Sequence, residues 1–231
     1  MNAGKLVLAL APVFACANLA QANSPPAATV ERSGDAVIFN GQINGRSVGE
    51  FKRALQDPGI TRLVITSRGG GVAAALDMAV AVHERGLDID VPTACLSSCA
   101  NYVFPAARRK VMARPGVVGW HGNMAHVLYL QQSGQSSWSE SEIRSARELA
   151  LREAGFFRRI GVDGFVCWFA KIEPYNVEDF YYLSREDMER FGIREVVLLD
   201  ARPAPDTAQI RKVIVDWPSL EAGRPVVKLD E

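Results

Sequence analysis

The chain carries no excess of charge of either sign, and this balance bears on its partners. Its 231 residues include 26 lysines and arginines and 26 aspartates and glutamates, so the formal net charge is zero. A nucleic-acid-binding domain is usually basic, with its lysines and arginines gathered on one face. The composition therefore favours no nucleic-acid partner. Its 48% of hydrophobic residues is typical of a globular protein, and its length suits one good-sized domain or two small ones.

Long hydrophobic runs are also scarce, and the longest lies at the N-terminus. A single lysine precedes an apolar run from Leu6 to about Ala20, and a small-x-small pattern ends before Asn23. The run is too short for a stable membrane span, so we expect a signal peptide at 1–22, cut near Ala22-Asn23. A linker at 23–33 would follow. The mature chain is then expected in the periplasm or outside the cell, and an N-terminal membrane anchor is the alternative.

Cysteine and histidine are few, which limits the metal sites that the chain could build. Of four cysteines, Cys16 belongs to the predicted signal peptide, where lipidation is an alternative, and Cys95, Cys99 and Cys167 remain. The three histidines do not complete a zinc-ligand spacing, so we expect no metal and no cofactor. Disulfides persist in an oxidising compartment. On a regular helix the spacing of Cys95 and Cys99 lies near the upper limit of disulfide reach. A strained bridge between them is therefore expected, and metal binding by the cysteines is the weaker alternative.

Strand and helix patterns alternate along the chain, which indicates an α/β fold with a largely parallel sheet. A capping box at Ser139 and Glu142 begins a long amphipathic helix, and four prolines with scattered charges predict a loosely attached tail at 203–231. The other predicted elements are strands at 36–43, 61–67, 88–94 and 194–199, helices at 46–56, 72–85, 97–107 and 161–170, and extended chain at 108–121.

Two short stretches combine the residue types that chemistry needs. SRGGG at 67–71 follows one predicted strand, and LSSCA at 96–100 follows the next. Both are therefore expected at the carboxyl ends of strands, where open α/β sheets bind ligands. Glycines there leave backbone N–H groups open to a ligand, and a serine at a helix start gains from the helix dipole. A phosphate-binding turn and a plain tight turn are the alternatives for SRGGG, which lacks the G-x-G-x-x-G spacing and the GK[ST] ending.

A nucleophilic serine needs a base, and the chain has three histidines. His83 lies within a helical pattern beside Glu84, where a solvated or packing role is expected. His121 ends the extended run GVVGWH at the tip of a predicted buried strand, which favours a functional side chain; a capping or core-edge role is the alternative. His126 starts an apolar stretch and is the weaker candidate.

The order of these features resembles the Clp-protease/crotonase superfamily, and more closely its exported serine-peptidase-like members. SRGGGVAAALDMA at 67–79 is similar to the family's glycine turn and helix, with Arg68 where the family has proline. CLSSCANYVFPAA at 95–107 resembles its nucleophile helix, and YYLSREDMERFGIREVV at 181–197 resembles its closing segment. The resemblance implies a spiral of ββα units over 34–202.

Carried over to this sequence, the resemblance implies a serine hydrolase, above all a peptidase. Ser97 would be the nucleophile, and His121 would be the general base that takes its proton and returns it to the leaving group. The backbone N–H of Gly69 or Gly70, with that of Ser98, would form the oxyanion hole. Ser98 is the alternative nucleophile if the helix begins one residue later.

The third catalytic position departs from the family pattern. The family's aspartate falls on Phe180 of this sequence, and Asp179 lies one residue earlier. A shift of one residue in extended chain turns a side chain to the opposite face. Three alternatives follow: Asp179 reaches His121 through a bulge, the site is a Ser-His dyad, or the enzyme is degenerate.

The sequence leaves three functions open. The first is an exported serine peptidase acting on a peptide or protein substrate, and the second is a non-catalytic binding or assembly module with the same fold. The third is an acyl-thioester enzyme of the crotonase branch, which export disfavours because coenzyme A thioesters are cytoplasmic. A homo-oligomer is expected from the resemblance.

Overall fold

A computed structural model describes residues 27–113, 116–199 and 210–229. The predicted signal peptide at 1–22 lies outside these residues. Among the helices of the described part, none is long and apolar enough to cross a membrane.

Six strands form the main sheet. Apart from the first pair, which is antiparallel, neighbouring strands are parallel. Leu63 and Ile65 alternate with less buried residues along the third strand, and both side chains are fully buried. In spatial order the strands are β1 (Thr29–Ser33), β2 (Ala36–Asn40), β3 (Arg62–Thr66), β4 (Asp88–Val91), β6 (Lys110–Met112) and β9 (Val196–Leu198).

A second row of strand pairings carries the candidate site. A bridge between Ser67 and Cys95 connects the end of β3 to this row, and a second bridge pairs Trp120 with Tyr181. Both strand pairs of this row are parallel. They are β5 (Ala94–Leu96) with β7 (Val117–Gly119), and β8 (Phe180–Tyr182) with β10 (Ile210–Lys212).

Local sequence explains where the main helices begin and end. The predicted capping box is present, since the Ser139 hydroxyl accepts from the Glu142 N–H and the Glu142 carboxylate accepts from Ser139. Gly161 ends that helix in the left-handed conformation that glycine adopts without cost. The α-helices are α1 (Gly45–Ala54), α2 (Val72–Glu84), α3 (Phe104–Ala106), α4 (Met124–Gln132), α5 (Glu140–Ile160), α6 (Arg185–Arg190) and α7 (Trp217–Ala222).

Three short helical turns of other types complete the list. A π-helical turn, Cys99–Val103, runs directly into α3. The predicted helix at 161–170 is instead two 3₁₀ turns, Gly164–Cys167 and Phe169–Lys171. The α/β class with a largely parallel sheet is confirmed in the described residues.

Two predicted boundaries need correction. Thr29–Ser33, placed in the linker at 23–33, forms β1 and pairs with β2 through a tight turn at Gly34. The tail predicted at 203–231 is attached to the domain from 210 on, because β10 pairs with β8 and Val213 and Val215 are buried. Its α7 also packs the ring of Trp217 against Phe191.

Candidate active site

Ser97 lies on the sharp turn between β5 and the π-helical turn. Its φ is 56°, which is uncommon for a residue other than glycine and costs on the order of 1–3 kcal/mol. The surroundings hold this conformation, since the Ser97 N–H donates to Gly119 O at 2.9 Å and the Asn101 N–H donates to Ser97 O at 2.8 Å. A strained serine on a strand-to-helix turn is the geometry that presents a nucleophile at the end of a sheet.

His121 meets Ser97 directly. The Nε2 atom of His121 lies 2.7 Å from the Ser97 Oγ, within hydrogen-bond distance for proton transfer. The preceding residue, Trp120, exchanges two backbone hydrogen bonds with Tyr181, both of 2.9 Å. The following residue is held as well, because the Asn101 side-chain amide donates to Gly122 O at 2.7 Å. The structure therefore brings the predicted nucleophile and base together on well-supported backbone.

The surroundings of His121 favour its neutral form. Burial is the larger cause that lowers the pKa of His121 below the ordinary value of 6.5, and the positive charge of Lys171 is the smaller. The imidazole is therefore uncharged at neutral pH and can accept the serine proton. Among the described residues no carboxylate is hydrogen-bonded to the ring. The imidazolium that would form during acylation lacks a partnering charge.

Asp179 is not brought to His121. It is exposed in the segment before β8, and its carbonyl accepts from the Lys171 Nζ at 3.2 Å. Phe180, the next residue, packs its ring edge-on against the His121 imidazole with centroids 4.5 Å apart. An aromatic ring thus supports the imidazole where the family pattern has a carboxylate, and a catalytic role for Asp179 stays a prediction.

The Ser98 hydroxyl makes different contacts from the Ser97 hydroxyl. Its side chain is buried, accepts from the Gly70 N–H at 2.8 Å and donates to Gly70 O at 3.1 Å. These two hydrogen bonds connect the glycine turn to the start of the π-helical turn. Of the two adjacent serines, Ser97 is the one whose hydroxyl meets His121.

The predicted oxyanion-hole donors differ in whether they already have a hydrogen-bond acceptor. The Gly69 N–H donates to the Ser67 hydroxyl at 3.0 Å, and the Gly70 N–H donates to Ser98 Oγ. The Ser98 N–H has no acceptor among the described residues, as expected for a donor at a helix start. A glycine amide would have to exchange its hydroxyl acceptor for the substrate oxygen, and the predicted pair stays a prediction.

Glycine is required at 69 because the backbone passes close to the Ser97 side chain. Its φ is 92°, and a Cβ there would lie 2.7 Å from the Ser97 Cβ. At Gly71, by contrast, the φ of −65° suits any residue and no atom lies within 4 Å of an added Cβ. The two glycines therefore form a matched pair for mutation.

Gly69→Ala is expected to lower the free energy of unfolding by about 2 kcal/mol and to displace Ser97 from His121. Gly71→Ala should leave stability within about 0.5 kcal/mol of the wild type, because alanine restricts the unfolded chain but is a poorer N-cap of α2 than glycine. Chemical denaturation of both variants measures the difference. Equal stability of the two would contradict the close approach at Gly69.

The predicted disulfide between Cys95 and Cys99 is present, with Cα atoms 5.2 Å apart. The regular-helix geometry assumed from the spacing does not apply, since Cys95 lies on β5 and Cys99 begins the π-helical turn. The reversal at Ser97 brings the two together. The bridge therefore closes the turn that holds Ser97, and Cys167 is a free, buried thiol.

A buried carboxyl group, Glu153, was not anticipated from the sequence. It lies on α5. Its carboxyl group hydrogen-bonds to the hydroxyl of Tyr102 in the π-helical turn and accepts from the Met124 N–H at 3.1 Å. It thus joins three elements: α5, the π-helical turn and the start of α4, which follows His121. The available signal was a glutamate on the apolar face of α5, in helical register with Ala146, Ala150 and Phe157.

Glu153 makes stability depend on pH. Burial raises its pKa from 4.5 to about 7, against the hydrogen bonds from Tyr102, Met124 and Ala125. The folded state therefore keeps a proton that the unfolded chain releases near 4.5, so this group's contribution to stability falls as pH rises from 4.5 to about 7. In a Glu153→Gln variant this decline, about 3 kcal/mol, is expected to disappear. Urea denaturation at several pH values measures it, with the exposed Glu148→Gln on the same helix as the control; equal pH dependence of all three proteins would contradict the assignment.

A cleft of about 610 Å³ opens beside Ser97. Its lining comes mainly from the ends of β2 and β3 and from the glycine turn. The residues are Gly41, Gln42, Thr66, Ser67, Arg68, Gly69, Gly70, Ala94 and Ser97. A cleft of this size can hold part of an extended peptide next to the nucleophile.

No protein-family model matches the chain, and no curated protein matches it either. Similar solved structures include ClpP1 from Listeria monocytogenes, with 17% identity, a TM-score of 0.42, and 73% of this chain and 92% of that chain covered. The ClpP protease catalytic domain from Plasmodium falciparum has 12% identity, a TM-score of 0.43, and coverage of 75% and 89%.

A third similar structure is methylmalonyl CoA decarboxylase, with 9% identity and a TM-score of 0.30. The match covers 39% of this chain and 46% of the decarboxylase, so the chain spans just under half of that protein. These likenesses concern the fold alone.

Proposed function

We propose that this protein is an exported serine hydrolase, acting as a peptidase through a Ser97–His121 dyad. The observation that carries the proposal is the 2.7 Å contact between the Ser97 Oγ and the His121 Nε2. It forms at a strained strand-to-helix turn that opens on a cleft. Strain of this kind persists only where the surrounding structure enforces it, and it is concentrated at functional sites.

The chemistry follows from the pair. As the Ser97 oxygen attacks a substrate carbonyl carbon, its proton passes to the His121 Nε2, and the carbonyl oxygen takes up negative charge. The Ser98 N–H, with a glycine amide of the turn, is the proposed donor to that oxygen. His121 then returns the proton to the leaving amine, an acyl-serine remains, and water activated by the same histidine hydrolyses it.

The charges around His121 imply slow turnover. In a triad a buried carboxylate orients the histidine and stabilises its protonated form. Here Phe180 orients the ring without stabilising its charge, and Lys171 opposes protonation. We therefore expect turnover well below that of a complete triad.

A non-catalytic binding module is the second candidate. Two observations favour it: His121 has no carboxylate partner among the described residues, and the Gly69 and Gly70 amides already have acceptors. The same cleft would then bind a peptide without cleaving it.

A library of fluorogenic peptides separates the two functions. Hydrolysis that is lost in Ser97→Ala and in His121→Ala, and kept in His83→Ala near the C-terminal end of α2, supports the hydrolase. Peptides that bind the cleft by fluorescence anisotropy without being cut would instead support the binding module.

Export and assembly are part of the proposal. The Cys95–Cys99 disulfide supports an oxidising compartment, and thus the predicted periplasmic or secreted location. The expected homo-oligomer remains a prediction, which light scattering of the purified protein tests. Cell fractionation with reporter fusions tests the predicted signal peptide.

A further inference from the structure

The cleft beside Ser97 has one charged side chain in its lining, Arg68. Its side chain is exposed, and among the described residues no carboxylate pairs with it and no hydrogen bond involves its guanidinium. Other arginines near the sheet are paired: Arg62 contacts Asp35 and Asp90, and Arg108 contacts Asp88. Arg68 is thus an uncompensated cation in the wall of the candidate site.

The position of Arg68 puts its charge within reach of a bound substrate. A Cβ built on Gly69 would lie 2.7 Å from the Ser97 Cβ, and consecutive Cα atoms are about 3.8 Å apart. The Arg68 Cα therefore lies within roughly 8 Å of the nucleophile's side chain. An extended arginine can place its guanidinium beside a residue one or two positions from the scissile bond.

The backbone of Arg68 is also free. Neither its N–H nor its C=O takes part in a hydrogen bond with the described residues, whereas the Ser67 and Gly69 carbonyls on either side accept from Leu96 and Ile43. Free backbone groups at a strand end can pair with an extended peptide. A substrate held there would pass the Arg68 side chain.

Lys171, the second cation near the site, already has hydrogen-bond acceptors and acidic neighbours. The Lys171 ammonium donates to Glu178 O and Asp179 O, and the charges of both acidic residues act on it. Lys171 therefore does not compete for a substrate anion as Arg68 does.

We infer that the substrate presents a carboxylate to Arg68, so that the hydrolase selects peptides with an acidic group beside the scissile bond. The inference rests on the proposed function. A guanidinium binds a carboxylate through two parallel charge-assisted hydrogen bonds, a fit that a lysine or a neutral side chain does not reproduce. The carboxylate could come from an aspartate or glutamate side chain or from the C-terminus of a chain.

Four peptides distinguish these sources. They share one sequence and differ in two places: glutamate or glutamine next to the scissile bond, and a free or amidated C-terminus. Measured as kcat/KM, the acidic peptide is expected to exceed its neutral isostere about tenfold, mostly through KM. The preference should shrink as salt is raised, because part of the contact is exposed.

Arg68→Gln should abolish this preference, so that the acidic and the neutral peptide are cleaved with equal kcat/KM. Arg144→Gln is the matched control, since it removes the same charge from exposed α5, outside the cleft lining. A tenfold preference that survives Arg68→Gln, or no preference in the wild type, would overturn the inference even if hydrolysis is observed.

Binding separates this inference from the proposed function. In the Ser97→Ala background, fluorescence anisotropy gives the affinity of the same four peptides without turnover. Tighter binding of an acidic peptide that is lost on Arg68→Gln supports the site even if the wild type cleaves nothing. Equal affinity for acidic and neutral peptides overturns it.

Discussion

In a His121→Ala variant, acylation of Ser97 is expected to slow roughly 10²- to 10⁴-fold, the usual contribution of a general base. The reason is the contact between the Ser97 Oγ and the His121 Nε2, which gives the hydroxyl proton its acceptor. A fluorophosphonate phosphonylates the serine with loss of fluoride and needs the same removal of the hydroxyl proton, so its rate of reaction with Ser97, followed over time by mass spectrometry, measures the loss. His126→Ala is the control, because His126 stacks on Trp168 and no hydrogen bond connects it to the Ser97 hydroxyl among the described residues.

The pH dependence of the same rate tests the state of His121. Its pKa lies below 6.5, first because of burial and then because of Lys171. The base is active when neutral, so the rate should rise with pH and reach its plateau at a lower pH than an unperturbed histidine would give. A midpoint above 6.5 would require a carboxylate partner and would contradict the dyad.

The second large effect is expected for Phe180→Asp, which should increase the rate of acylation of Ser97. The Phe180 ring contacts the His121 imidazole, so an aspartate there would set a carboxylate beside the histidine. The carboxylate should raise the pKa of His121 and stabilise its protonated form, and a gain of about tenfold or more in acylation rate is expected. The midpoint of the pH profile should rise at the same time.

Two further variants test whether the charge of the aspartate causes the expected gain in rate. Phe180→Asn has the same shape as Phe180→Asp without the charge, and Phe180→Ala removes the ring alone. Both are expected to fall below the wild type, because each loses the contact that orients the imidazole. A gain in Phe180→Asn equal to that in Phe180→Asp would contradict the electrostatic account.

The parts of the fold that follow from local rules were predictable from the sequence. The glycine turn after β3 and the capping box of α5 are encoded within a few residues, and both are where the pattern puts them. The pairing of Ser97 with His121 was implied by the resemblance of the motifs to the Clp-protease/crotonase superfamily. In the structure Ser97 follows β5, and His121 follows Trp120, the residue after β7. Each of these features depends on short-range chemistry or on the topology of parallel strands.

Other features depend on long-range packing, which periodicity does not reveal. Thr29–Ser33 is a strand because it pairs with the edge of β2. The segment from Ile210 forms β10 because it pairs with β8. Glu153 looked like one charge on an amphipathic helix, and its role appears only when the Tyr102 hydroxyl and the Met124 amide converge on it. The spacing of Cys95 and Cys99 could not show that a strained turn, and not a helix, separates them.

The central claim is that Ser97 is an activated nucleophile, and fluorophosphonate labelling of the purified protein tests it most directly. The account predicts one adduct, located at Ser97 by peptide mapping, that is absent from Ser97→Ala and strongly reduced in His121→Ala. A folded wild-type protein that remains unlabelled, or an adduct on Ser98, would contradict it.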